Sequence, residues 1–132
     1  MRKTAHRLLF AAIVFQTCLY GQNRRIVEEG AVDGVLTRAA HHFYNGDFDE
    51  AEELFDAYIG FYPDDPVGYW RKSYNWFFRL RHEQKTDTPV LDEETASRFF
   101  ELIRVGAEKT DAKIKGGKDK DFYLYVKACL YS

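Results

Sequence analysis

Few residues in this chain stand at spacings that could do chemistry. His41 and His42 are adjacent. Neighbours on a helix point about 100° apart, so the two cannot easily share one ion. No His-Glu-x-x-His spacing exists either, and a packed or exposed histidine pair is the better reading. Glu50, Glu52, Glu53 and Asp56 crowd one stretch, but a solvated helix face explains them better than a catalytic carboxylate pair. Lys115-Gly116-Gly117-Lys118 has neither the spacing nor the following Ser or Thr of a phosphate loop. Cys129 sits in no nucleophile motif, and the hydroxyls of Thr86, Thr88 and Thr95 have no base beside them. These residues therefore predict no catalytic group, no metal site, no cofactor and no small-molecule substrate. The chemistry left to the chain is recognition.

Length and charge bound what is recognised. A chain of 132 residues forms one domain at most. Aromatic residues make up 17% and charged residues 30%, a composition that folds rather than stays disordered. The formal charge of −2 gives no electrostatic reason to expect nucleic acid.

The N-terminus has the pattern of an export signal. Arg2, Lys3 and Arg7 form a basic start, Leu8 to Phe15 is an apolar run, and the first acidic residue is Glu28. The apolar span is shorter than the roughly 20 residues that cross a bilayer as a helix. Cleavage after Gly21 is expected, giving a signal peptide over 1–21 and a linker over 22–31, although Leu19 is large for its place before the cut. Phe15, Gln16 and Thr17 ahead of Cys18 depart from a lipobox, which argues against a lipid anchor. Losing Arg2, Lys3 and Arg7 takes the mature chain to about −5. Cys129 would then be its one cysteine, so the fold must rely on its core rather than a disulfide.

The elements that must build a recognition surface are helical. Val35, Leu36, Ala39, Ala40 and Phe43 have helical spacing and predict a helix from Asp33 to Asn45, closed by Asn45-Gly46. A second helix is expected from Phe48 to Tyr62, with Asp47 and Glu50 as a capping box and Ala51, Leu54, Phe55, Tyr58 and Ile59 as its apolar stripe. Asp65 and Pro66 start a third, which carries Tyr69, Trp70, Tyr74, Trp76, Phe77 and Leu80 and fades at His82 to Lys85. After a loop over Thr86–Leu91, Asp92 caps a fourth helix over Glu93–Lys115 that ends at Gly116-Gly117. A fifth begins near Asp119 and carries Phe122, Tyr125 and Leu130. No stretch alternates with period two, so the fold class predicted is all-α.

Counted from Val32 as position 1, Gly46 falls at 15, Phe48 at 17, Ala51 at 20, Phe55 at 24 and Pro63 at 32. This pattern resembles the 34-residue tetratricopeptide repeat. Departures lie in the first helix: Val35 stands where a larger residue is common and His42 where an aromatic one is. A second unit starts at Pro66, with Tyr69, Ser73 and Trp76 in the large, small and large positions, and resumes after the loop with Ala96, Phe100 and Ile103. A half unit begins near Asp121 with Leu124, Ala128 and Tyr131. The resemblance covers 32–132 and implies antiparallel helix–turn–helix repeats, about two and a half units forming a short right-handed solenoid. Gly46, Phe48, Ala51, Phe55 and Pro63 are its structural signature. The third unit stops inside its first helix, which leaves two expectations: a fragment of a longer repeat protein, the favoured one because a terminal cap usually has a polar outer face, or a last helix that caps the stack by itself.

In such repeats the first helix of each unit lines the concave face. The resemblance places Leu36, Ala40, Phe43 and Tyr44 there, then Trp70, Tyr74, Phe77 and Phe78, then Tyr125 and Cys129. An aromatic groove of this kind suits a helix or an extended peptide. The Lys and Asn residues of the family's carboxylate clamp are missing, so chaperone C-terminal tails are not expected as ligands. The expectation is an exported, non-enzymatic scaffold in the periplasm or envelope of a bacterium or outside the cell, binding a protein or peptide. Self-association through the incomplete third unit accompanies it. The competing readings are a recognition or regulatory domain of a longer exported enzyme or assembly factor, and an uncleaved, membrane-tethered adaptor.

Overall fold

The computed structural model describes residues 31–131. The predicted signal peptide and all but the last residue of the predicted linker lie outside them. Five helices follow in order: α1 (Ala31–Asn45), α2 (Phe48–Phe61), α3 (Pro66–Gln84), α4 (Glu93–Lys115) and α5 (Lys120–Leu130). The described residues contain no strand and the fold is all-α. A compact unit begins at Gly34.

Each helix ends for an identifiable reason. Gly46 adopts φ +82° after α1. Its N–H donates to Phe43 O at 3.2 Å and the Asp47 N–H donates to His42 O at 2.9 Å, the paired bonds that close a helix through a left-handed residue. The expected capping box at α2 is not formed. Asp47 has ψ 66° and makes no side-chain cap bond, because its backbone is committed to closing α1; its Oδ2 lies 3.4 Å from His42 Nδ1 instead. Asp65 does cap α3, accepting from Val67 N at 3.1 Å and from the Tyr58 hydroxyl at 2.7 Å. α3 ends at Gln84, inside the His82–Lys85 stretch where it was expected to fade. Lys85 takes a left-handed conformation (φ 51°) there, and the Thr86 N–H donates to Arg81 O at 3.2 Å. Asp92 caps α4 through Thr95 N at 2.8 Å, and Gly117 at φ +77° ends the turn after it.

From α2 onward, successive helices run antiparallel. Along α2 and α3 the partners Asp56–Lys72, Glu52–Trp76 and Asp49–Arg79 progress in opposite senses. Trp76–Arg98 and Tyr69–Gly106 do the same for α3 and α4, as do Asp111–Lys127 and Gly106–Leu130 for α4 and α5. Alternate helices therefore point the same way, and α5 packs on α3 as well as on α4.

Small residues set how closely these helices approach. Ala39 of α1 and Ala51 of α2 are fully buried with Phe55, and Leu36, Phe43 and Leu54 close around them. At Gly68 a Cβ would lie 2.8 Å from Ile59 Cγ1 and 2.9 Å from Tyr58 Cδ1, so α3 meets α2 with no room for a side chain. At Gly106 a Cβ would lie 3.0 Å from Tyr69 Cβ and 3.2 Å from Leu130 Cδ2, where α3, α4 and α5 come together.

Candidate partner-binding face

The aromatic residues of α1, α3 and α5 meet in one ladder of rings. Tyr44 packs edge-on to Phe43 (5.3 Å between centroids) and Phe43 edge-on to Phe78 (5.5 Å). Phe78 lies 6.1 Å from Tyr74, Tyr74 lies 6.0 Å from Trp70, and Trp70 lies 6.1 Å from Tyr125. Phe77 joins Phe78 at 5.7 Å. Centroid separations of 4.5–7 Å with tilted or edge-to-face planes are the favourable range for such pairs. The helical period explains the ladder: positions 70, 74, 77, 78 and 81 share one side of α3.

The ladder gathers seven of the ten residues expected at the concave face, and their exposure divides them. Tyr44 is 50% exposed and Phe77 37%, whereas Trp70 is 1% exposed. Phe43, Tyr74, Phe78 and Tyr125 are half-buried. Trp70 is thus the innermost ring, and Tyr44 and Phe77 present the most surface. Leu36 packs against the Ala39–Ala51–Phe55 cluster between α1 and α2, and Ala40 is half-buried. Cys129 is buried.

Two arginines of α3 border this face, and the sequence reading missed both. The Arg81 guanidinium lies 5.7 Å from the Phe77 centroid and 5.4 Å from that of Phe78, and it donates to Asp87 on the loop after α3. The Arg71 guanidinium stands 4.7 Å over Trp70. Arg81 follows Phe77 by four residues and Phe78 by three, a spacing that puts side chains in contact on a helix, so that signal was present in the sequence.

The opposite side of α3 holds a charged network. Trp76 Nε1 donates to Glu52 Oε1 at 2.7 Å, Lys72 Nζ pairs with Asp56, and Arg79 reaches Asp49 at 2.7 Å and Glu83 at 2.8 Å. Glu83 and the surrounding carboxylates hold the Arg79 guanidinium above its ordinary pKa. Asn75 is fully buried and its Nδ2 donates to Phe48 O at 2.8 Å, while its Oδ1 makes no hydrogen bond among the described residues.

The remaining signature residues sit at turns and packing points. Phe48 stacks between Phe43 (6.1 Å) and His82 (5.8 Å), and the Pro63 carbonyl accepts from the Tyr69 hydroxyl at 3.0 Å. The bond from Lys109, at 2.6 Å, holds the Asp64 carboxyl below its usual range and ties the α2–α3 turn to α4. His41 and His42 have rings 6.1 Å apart and nearly perpendicular; His41 bonds the Asn45 side chain and His42 that of Asp47. Among the described residues no three His, Cys, Asp or Glu side chains come together as a metal site. Comparison of the chain with protein-family models, with curated proteins and with solved structures returns no match.

Proposed function

We propose that this chain is a non-enzymatic scaffold of the tetratricopeptide-repeat type, whose α1–α3–α5 face receives a peptide or helix from a protein partner. The observation that carries the reading is the ring ladder, built from alternate helices and open to solvent at Tyr44 and Phe77. Aromatic side chains offer large contact area at low conformational cost and dominate binding energetics when a partner covers them. Repetition within the fold supports the family reading. Ala39 and Ser73 fill the same position of the 34-residue frame and both are buried. Trp70 and Tyr125 also share a frame position, and they contact each other. On this reading α1–α2 and α3–α4 are whole units and α5 opens a third, in a short right-handed solenoid.

The basic start and apolar run of residues 1–21 support export to the periplasm or beyond, with Gln22 as the first mature residue. N-terminal sequencing of the exported protein tests this; a start at Met1 on a membrane-bound product would favour the tethered adaptor. For the groove itself, a photo-crosslinking amino acid at position 77 is compared with one at Glu53, an exposed residue of α2. Adducts at 77 and none at 53 are expected, and equal labelling at both sites would remove the case for the face.

Leu124 (46% exposed) and Tyr131 (67%) lie on one side of α5 with exposed Ala128 between them. This uncovered stripe supports self-association through α5 as a second mode of contact. Sedimentation velocity across a concentration series tests it: a single monomeric species up to millimolar protein sinks it.

A further inference from the structure

We infer that the α3 face selects peptides in which an acidic residue stands beside a large apolar one, with Arg81 reading the carboxylate and Asp87 as its resident competitor; this rests on the groove proposed above. The Arg81 guanidinium lies 5.7 Å from the Phe77 centroid and 5.4 Å from that of Phe78, so the two rings confine it while its N–H groups can still meet a ligand. A planar fork held in this way is preorganised for bidentate carboxylate recognition. The fold already shows that chemistry at this point, because Arg81 Nη2 donates to Asp87 Oδ1. The Asp87 side chain is 90% exposed and sits on the loop after α3. An ion pair with so exposed a carboxylate contributes little to stability, so a carboxylate from a partner can take the place of Asp87.

Charge distribution favours the same occupant. Arg71, over Trp70, gives the face a second cation, ten residues from Arg81 and therefore about 15 Å along the helix. Glu83, the one carboxylate of α3, turns to Arg79 on the other side. Likewise the α2 carboxylates Asp49, Glu52 and Asp56 are engaged by Arg79, Lys72 and Trp76 away from the ladder. The occupant that fits is an extended peptide with an apolar side chain on Phe77 and Tyr44 and a carboxylate at Arg81.

The test is selection of a random twelve-residue peptide display library on the full chain. Wild type, Arg81→Gln, Arg81→Lys, Asp87→Asn and Phe77→Ala are run in parallel, each checked for helical content by circular dichroism. Enriched peptides are then measured by fluorescence anisotropy at two salt concentrations. Wild type is expected to enrich Asp or Glu beside a large apolar residue, with affinity falling as salt rises. Arg81→Gln should weaken those peptides roughly tenfold or more, as for a lost charge-assisted contact. Arg81→Lys, which keeps the charge and loses the stacked fork, should fall between the two. Asp87→Asn should tighten binding by about two- to fivefold, the range expected for releasing a solvent-exposed ion pair. A pool that requires Phe77 but shows no acid preference, or keeps that preference on Arg81→Gln, overturns the inference alone. No enrichment on wild type, or binding unaffected by Phe77→Ala, overturns the groove beneath it.

Discussion

Replacing Gly68 with alanine adds one methyl group where α3 meets α2. Its Cβ would fall 2.8 Å from Ile59 Cγ1 and 2.9 Å from Tyr58 Cδ1, about 1 Å inside a comfortable carbon–carbon contact. Ile59 is half-buried and can turn aside. Tyr58 is 4% exposed and its hydroxyl donates to Asp65 at 2.7 Å, so its ring cannot follow without giving up that bond. Overpacking of this kind costs about 1–3 kcal/mol. The better helix propensity of alanine returns up to about 1 kcal/mol, less so close to a helix start. A net loss of about 1–2 kcal/mol is expected, lowering the melting temperature by about 5–15 °C in a domain near 100 residues. Gly60 of α2 is the control, since nothing lies within 4 Å of its Cβ. Gly60→Ala should be neutral or stabilising by up to about 1 kcal/mol. Urea unfolding followed by circular dichroism reads both, and the slope with denaturant should stay constant. If Gly68→Ala stabilises as much as Gly60→Ala does, α2 and α3 are not packed as closely as described and the reasoning fails.

Three further outcomes are expected. Asn75→Asp puts a carboxylate where the buried amide donates to Phe48 O, which should cost about 3 kcal/mol or more at neutral pH; stability should recover on acidification, since the protonated acid can donate to that carbonyl, and a pH-independent loss would refute this. Asp65→Ala removes the α3 cap and the Tyr58 partner together, for a loss of about 1–3 kcal/mol in urea unfolding; Tyr58→Phe in the same background should then add little. Lys109 lowers the Asp64 pKa from its ordinary 3.8, so the stability it adds is complete above that value and fades as pH falls through the lowered one. Asp64→Asn should therefore be slightly less stable than the parent at neutral pH, with the two urea midpoints converging in strong acid; a constant gap down to pH 1 would show that the charge is not responsible.

The helices were legible because their signals are local. Apolar spacing and the Asp65-Pro66, Asp92 and Gly116-Gly117 punctuation mark α3 and α4 to within a few residues. The failure at Asp47 is also local in origin, since one residue was asked both to end α1 and to cap α2. Lys85 was missed because a lysine in the left-handed region carries no sequence signature, whereas Gly46 does. The repeat resemblance, not the helical period alone, grouped Phe43, Tyr44, Tyr74, Phe77, Phe78 and Tyr125 on one face. Period could not separate Leu36, which turns into the α1–α2 core, or reveal that Trp70 is the innermost ring. Cross-helix chemistry was the least legible. Nothing in the sequence pairs Trp76 with Glu52 or Asn75 with Phe48, residues 24 and 27 positions apart.

The two tryptophans of the chain sit about 120° apart around α3, and they are optical reporters for different faces. Trp70, 1% exposed beside Tyr74 and Tyr125, should emit toward the blue and respond when the ring ladder is disturbed. Trp76 is bonded to Glu52 with Lys72 at 5.4 Å and Arg98 at 5.2 Å, so its emission follows the charged side where α2, α3 and α4 meet. With Trp76→Phe and Trp70→Phe as single-reporter variants, unlabelled protein can tell an event on the aromatic face from one on the face behind it.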